Sequence, residues 1–322
     1  MDNNLYRNYV AILKSELIPA LGCTEPIAVA YAAATAAKIL GRLPDAIEMW
    51  CSGNIIKNVK GVIVPNTGGM KGIEAAAVAG AIGGDPDRGL EVLEPLNNGQ
   101  IEAIKRLIGT GYCTCNLLRD TENLHIIAKL TAAADSVAVE IRTYHTNITK
   151  ITENDKVIME KDSDGGPGGP EKMGGGDDAL LTVKDILEFA DTLNPDDVRD
   201  LLERQIIFNT AIAEEGLKHN YGADVGKTLL KFFGNSVNMR AVAKAAAGSD
   251  ARMDGCCLPV VINSGSGNQG MTASLPVIEF ANEMGASREK IYRALAVSNL
   301  IAIHQKKHLG RLSAYCGVVS AA

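Results

Sequence analysis

The sequence predicts an α+β protein: a mainly helical, small-residue-rich catalytic domain into which a smaller α+β subdomain is inserted. Three observations carry this. Apolar residues at helical spacing occupy both ends of the chain, β-prone residues alternate between about positions 113 and 145, and the apolar fraction is built from small side chains. Hydrophobic residues make up 46% of the 322, yet only 4% are aromatic and 33 are glycine. A core with so few large rings has to gain its density from helices that approach closely.

In chain order, Leu5 to Leu17 has helical spacing and stops before Pro19, because a residue preceding proline is pushed out of the helical region. The stretch GCTEPIAVAYAAATAAKILG predicts a second helix, with Thr24 at the N-cap, Pro26 in the first turn and Gly41 just past the end. From Ala46 to Gly69, β-branched residues mixed with Gly, Asn and Pro predict short strands joined by a turn around Asn66 to Gly69. A third helix spans Gly72 to Ala81.

Beyond Gly89 the pattern predicts EVLEPL as a strand, an amphipathic helix in NGQIEAIKRLIGTG, then strands in CTCNLL, LHIIAKLTAA and DSVAVEIRTYH. Next comes MEKDSDGGPGGPEKMGGGDD, whose seven Gly and two Pro predict a flexible loop. The expected division is therefore 1–85 with 179–322 as the helical domain, 86–160 as the α+β subdomain, and 161–178 as the loop. Helical texture returns after Ala179. It breaks only where LPVVINSGSGNQG runs from a strand through a Gly-rich turn into a helix. The end, RLSAYCGVVSAA, stops inside a small-residue helical pattern without a cap, as expected of a chain cut within a domain.

Composition narrows the function. With 32 basic and 38 acidic residues the net charge is −6, with no basic stripe, which argues against a nucleic-acid binder. Pro26 to Ala37 falls short of the roughly 20 apolar residues a bilayer demands. The first residues lack the basic and apolar regions of a secretory signal. A cytoplasmic protein is expected, in which spaced cysteines signify metal or chemistry more than disulfides.

Several motifs bear on chemistry. Gly265, Gly267 and Gly270 spell G-x-G-x-x-G between a strand and a helix. The dinucleotide reading fails because the following residues are helical, where a second strand ending in an acid is needed. A Gly-rich turn at a helix N-terminus still presents free N–H groups to an anion such as a substrate carboxylate, or it is simply a packing turn. Gly222, Gly226, Lys227 and Thr228 miss the phosphate-loop spacing by one residue. His304 and His308 sit at i, i+4, but Gln305 stands where a zinc protease needs glutamate. The seven cysteines form no C-x-x-C pair. Cys113 and Cys115 alternate onto one face of a strand, as small apolar residues would. Cys23 stands at a helix N-terminus, where the dipole favours a thiolate, so a nucleophile, an acid–base group and a metal ligand are all open to it. Cys316 has small neighbours that leave room beside its sulfur. Each of these two also fits a plain core cysteine.

Taken together, GCTEP at Cys23, GNIIKNVKGVIVPNTGGMKG from Gly53, AGSDARMDG from Ala247, LPVVINSGSGNQG from Leu258 and LSAYCG around Cys316 resemble the L-cysteine desulfidase family, which is related to the iron–sulfur L-serine dehydratase α chains. The resemblance spans essentially the whole sequence. It implies a 4Fe-4S lyase that removes HS⁻ from L-cysteine, or water from L-serine, leaving aminoacrylate that hydrolyses to pyruvate and ammonia. It also implies that Cys316 is the first cluster ligand and Cys23 an acid–base group or a cap on the open iron. Ser264, Gly265, Ser266, Gly267 and Asn268 would bind the substrate carboxylate, with Asn66, Thr67 and Lys71 on a facing loop. The family's two further cluster cysteines lie downstream of the first, and six residues follow Cys316 here, so a truncated or non-catalytic chain is expected.

Two other readings stand beside this one. A pyridoxal phosphate enzyme would use Lys71 as its Schiff-base lysine. A non-catalytic amino-acid-binding protein would keep the pocket alone. The expected partner is a small amino acid, without nucleic acid or membrane, and small-residue helix faces suit a homodimer.

Overall fold

The computed structural model describes residues 1–161, 176–307, 309 and 318–319. The expected α+β class holds, and the chain divides into two compact units. One contains Met1–Ala20 and the described residues from Gly176 onward. The other contains the described residues from Leu21 to Lys161.

The first unit opens with α1 (Asn3–Glu16), which Asp2 caps by accepting from the N–H groups of Asn4 and Leu5. The short strand β1 (Pro19–Leu21) follows. The chain then builds the second unit. Its α2 (Thr24–Leu40) starts one residue after the N-cap position, which Cys23 occupies in place of the expected Thr24, and ends at Gly41 in the left-handed conformation (φ 70°). Strand β2 (Ala46–Ser52) comes next.

The expected strands after Ser52 are absent. Gly53–Val59 forms helix α3 instead, with Ile55 and Val59 buried one turn apart. The same β-branched residues that favour a strand supply a helical stripe here, because packing overrides a modest local propensity. Then come α4 (Gly72–Gly83) and α5 (Asn98–Leu107), the latter closed by an Asn97/Gln100 capping box. EVLEPL is likewise not a strand. It completes a 3-10 turn (Pro86–Glu91) capped by Asp85, and its Val92 and Leu93 are buried beyond it.

The strands β3 (Cys113–Leu118), β4 (His125–Ala132), β5 (Asp135–Arg142), β6 (Ile148–Glu153) and β7 (Lys156–Glu160) complete a six-stranded sheet in the order β3-β2-β4-β5-β6-β7. Only the β2–β3 pair is parallel. Register places buried rows across the sheet: Met49 opposite Ala128 opposite Val139, and Cys51 opposite Ile126 opposite Ile141. This is the hydrophobic-in alternation of a sheet covered on one face. Helix α2 covers β4 and β5, and α4 lies against β2 and β3. The helices between Thr24 and Gly83, grouped by their texture with the C-terminal half, thus pack on the sheet.

The first unit resumes with α6 (Val183–Thr192), α7 (Arg199–Lys218), α8 (Val225–Phe233), α9 (Val237–Met253), β8 (Pro259–Val261), α10 (Gly267–Glu283) and α11 (Arg288–Lys306). Its core joins Tyr9, Leu13 and Leu17 of the N-terminal segment to Phe189, Leu202, Leu295 and Leu300. Phe189 packs between Tyr6 and Tyr9, with ring centroids at 5.2 and 5.5 Å. Among the described residues, no helix is long and apolar enough to cross a membrane.

The expected close approach of small-residue helices is realised between α2 and α4. A Cβ on Gly80 would stand 2.1 Å from the carbonyl oxygen of Ala30. The contact is between backbones, so no side chain can move aside. Gly80→Ala should therefore destabilise the sheet unit by about 1–3 kcal/mol, the usual cost of overpacking. The urea unfolding midpoint measures this, and a wild-type midpoint would mean that the two helices do not touch at this point.

Candidate functional site

The sequence candidates fall into two clusters, one in each unit. In the sheet unit, Gly22 (φ 59°) lets the GCTEP segment pass directly over Pro65: a Cβ there would lie 2.0 Å from Pro65 Cγ. Two motifs distant in sequence are thereby held in contact. Cys23 is 6% exposed, and its thiol donates to Glu25 Oε2 at 2.9 Å. Thr24 Oγ1 donates to the same oxygen at 3.2 Å, and Asn58 Nδ2 donates to Glu25 Oε1 at 3.2 Å. Glu25 therefore collects three donors at the first turn of α2, where the helix dipole favours a carboxylate. Sequence reading missed Asn58. Its position inside the GNIIKNV motif was the available signal, but only the α3 helix directs it at Glu25.

Asn66, Thr67 and Lys71 share one loop, closed by Val64 N–H donating to Met70 O at 2.8 Å and by a bridge between Ile63 and Lys71. Asn66 is left-handed (φ 58°) and donates through Nδ2 to Leu93 O at 3.1 Å. Thr67 is fully buried, with Oγ1 donating to Val64 O at 2.7 Å. Lys71 is exposed at the N-cap position of α4.

In the helical unit, Asn263 and Ser266 exchange both backbone hydrogen bonds at 3.0 Å. The residues between them, Ser264 (φ 48°) and Gly265 (φ 80°), are both left-handed, which is the geometry of a two-residue type I′ turn. Ser266 then caps α10 by accepting from Gln269 N–H at 3.3 Å. Ser264, Gly265 and Gly267 are buried, whereas Ser266 and Asn268 are partly open.

Buried amides hold this turn. Asn209 accepts from Val261 N–H at 2.8 Å and donates to Val261 O at 3.3 Å, standing in for a neighbouring strand. Asn263 Nδ2 donates to Asn299 Oδ1, and Asn263 Oδ1 accepts from Ser264 Oγ and Gln269 Nε2, all at 3.0 Å. Asn299 in turn pairs with Gln205 through both amide groups, at 2.9 and 3.0 Å. Arg252, at the end of α9 and 3% exposed, donates through Nη1 to Asn268 Oδ1 at 2.9 Å. Arg252 and Asn263 stand inside quoted motifs, but their roles were not legible there, because they depend on partners on other elements, such as Asn268 for Arg252 and Asn299 for Asn263.

The dinucleotide reading stays excluded, since α10 leads into α11 and not into a strand. Gly222 to Thr228 lies between α7 and α8, without the preceding strand a phosphate loop requires. Cys316 and His308 lie outside the described residues. Among the described residues, no three His, Cys, Asp or Glu side chains are grouped so as to hold a metal ion. Cys51, Cys113 and Cys115 do share one face of the β2–β3 pair, following the alternation of the two strands. Burial, with Glu74 and Cys115 nearby, pushes the Cys113 thiol up to about 12. A hydrogen bond from the Cys51 thiol lowers Cys115, and the same bond raises Cys51.

With the geometry in place, comparison with known proteins supplies the family. A model of the serine dehydratase alpha chain family matches residues 87–322. The chain belongs to that family. Among its relatives, the UPF0597 protein of Lachnoclostridium phytofermentans is 52% identical over 318 residues, which cover 99% of this chain and 75% of the relative. The UPF0597 proteins of Finegoldia magna and Desulfitobacterium hafniense are 51% and 50% identical over 98% and 99% of this chain, and 74% of each relative is covered. No solved structure matches it. Of this family member's sequence-derived site residues, the 264–268 turn lies within the matched region, and Cys23, Asn66, Thr67 and Lys71 precede it.

The thiol shifts make a prediction for alkylation. Cys115 should react with iodoacetamide at a pH below that of an ordinary cysteine, because its thiolate is hydrogen-bonded. Cys113 should stay inert until pH approaches about 12. Peptide mass mapping across a pH series checks both, and equal reactivity of the two would refute the assignment.

Proposed function

We propose that this protein is a lyase performing β-elimination on a small L-amino acid, with L-cysteine as the substrate. The Cα–H and Cβ–S bonds break, HS⁻ leaves, and the resulting 2-aminoacrylate hydrolyses through its imine to pyruvate and ammonia. The observation that carries this reading is the match of residues 87–322 to the serine dehydratase alpha chain family. The five sequence motifs quoted above, which resemble the L-cysteine desulfidases, narrow it. L-Serine dehydration is the closest alternative, since serine differs only in the leaving atom.

Roles are assigned separately within each unit. In the helical unit, the turn of Ser264, Gly265, Ser266, Gly267 and Asn268 receives the substrate carboxylate at the N-terminus of α10, where unpaired N–H groups and the helix dipole favour an anion. The I′ turn and its buried amides hold those donors in place before the ligand arrives, so little ordering cost falls on binding. In the sheet unit, Cys23 is the acid–base group. Its proton lies on a 2.9 Å hydrogen bond to Glu25, so the carboxylate can take that proton and leave the sulfur able to accept another. Asn58 and Thr24 stabilise the carboxylate for this exchange. Asn66, Thr67 and Lys71, on the loop that Gly22 meets at Pro65, are further substrate-binding candidates in this reading.

The resemblance also brings a 4Fe-4S cluster with Cys316 among its ligands into the proposal. The described residues supply no convergent ligand set for it, so no step above passes through a cluster.

Sulfide and pyruvate release from L-cysteine and L-serine tests the reading. L-Cysteine should give both products, whereas tight binding of either amino acid without any product would favour a non-catalytic binding protein. Cys23→Ala should lower turnover by about 100-fold, the scale of general acid–base catalysis, while leaving iron content unchanged. Normal turnover would remove Cys23 from the mechanism. Cys316→Ser should reduce iron bound after anaerobic reconstitution, and unchanged iron would show that Cys316 is not a ligand.

A further inference from the structure

Arg252 presents a charge problem that its surroundings resolve only in part. It sits in the last turn of α9, whose negative end offsets some of its charge, but it is 3% exposed, and a buried guanidinium is costly without a full counter-charge. Among the described residues it pairs with no carboxylate. The two aspartates nearest in sequence are turned away: Asp250 accepts from Val225 N–H and Asp254 from Gly222 N–H. Nη1 donates to the neutral Asn268 Oδ1 at 2.9 Å, and Nε, fully buried, has no partner.

The guanidinium also lies against the positive end of a helix. A Cβ on Gly267, the first residue of α10, would stand 2.3 Å from Nε and 2.6 Å from Cζ, so any side chain there would push the guanidinium away from the helix end. The seventeen-residue α10 carries about half a positive charge at this end. The N–H groups of Gly267 and Asn268 have no acceptor within their own helix. Because Asn268 accepts from Arg252 through Oδ1, its Nδ2 remains a further donor. A full cation, half a helix charge and unpaired donors converge, and an anion is the group that satisfies them all.

We propose that Arg252 binds the α-carboxylate of the amino-acid substrate, with the backbone N–H groups of Gly267 and Asn268 and the side chain of Asn268 completing the site. This rests on the elimination reading above for the identity of the ligand. The carboxylate supplies the missing counter-charge, and the planar guanidinium offers it a paired donor geometry that a lysine lacks. The site therefore demands a free carboxylate and rejects amides and esters of the same amino acid. Small monocarboxylates such as propionate occupy it as competitors.

Calorimetric titration of L-serine, L-serinamide and propionate against the wild-type chain, R252Q, R252K and N268A tests this. The wild type should prefer serine to serinamide by roughly 100-fold, the scale of two charge-assisted hydrogen bonds. R252Q should abolish that preference, and R252K should restore part of it as a point charge. R252Q that is folded by circular dichroism yet keeps the preference overturns the assignment. If R252Q does not fold, N268A leaves the charge in place and decides: serine should weaken about 10-fold with serinamide unchanged, and an unaltered ratio overturns the site. Pyruvate release with unchanged KM in R252Q would sink the Arg252 assignment while sparing the elimination. Propionate binding that is lost in R252Q, in a wild type that releases product from neither amino acid, would sustain the carboxylate site and sink the elimination.

Discussion

The chain of buried side-chain amides running from Gln205 through Asn299 and Asn263 to Gln269 is the constraint on which the helical unit's candidate site depends. Each of these residues is inaccessible to solvent, and each leans on the next: Asn299 pairs with Gln205, Asn263 with Asn299, and Gln269 with Asn263. Beside them, Asn209 brackets Val261 as a neighbouring strand would. Removing one partner would strand a polar group in a dry interior at a cost of about 1–3 kcal/mol. The network thus links α7, β8, the turn, α10 and α11 so that none shifts alone, and the N-terminus of α10 inherits that rigidity. A site that must hold a small ligand needs such support, because the ligand has few atoms with which to organise it.

The second constraint is the size of the side chains. Gly80 lets α4 meet the backbone of α2, Gly216 lets α7 meet α9 at Ala247, and Gly270 lets α10 lie on the carbonyl of Val261. The scarcity of aromatic residues follows from this geometry: where backbones touch, a ring has no room. Density comes from proximity of main chains, and the large side chains gather where the helices separate, as around Phe189 and Tyr9. The same device operates at function-bearing points. Gly22 brings the Cys23 segment over Pro65, and Gly267 brings α10 against Arg252.

Much of the candidate site was legible in part. Cys23 stood out for its place at a helix start, and it does precede α2, but its bond to Glu25 with help from Asn58 became visible only once α3 had formed. The turn at Ser264 and Gly265 announced itself by glycine spacing. What that spacing could not show is that the Ser264 hydroxyl is spent on Asn263, leaving Ser266 and Asn268 at the open edge. Arg252 lies within the AGSDARMDG motif, but an arginine near a helix end is ordinary until burial and the lack of a paired carboxylate set it apart.

By itself the sequence determined the strongly periodic elements: the amphipathic and small-residue helices, the alternating strands of the sheet, and the turn that opens α10, together with kinship to the serine dehydratase alpha chains. These features depend on neighbours one to four residues apart, which any window of the chain contains. Tertiary structure alone decided that Gly53–Val59 is helical, that EVLEPL is a turn, and that the helices up to Gly83 belong with the sheet. It also decided which polar groups meet. Those outcomes turn on partners brought together from distant parts of the chain, where burial and pairing outweigh the modest preferences of a local segment.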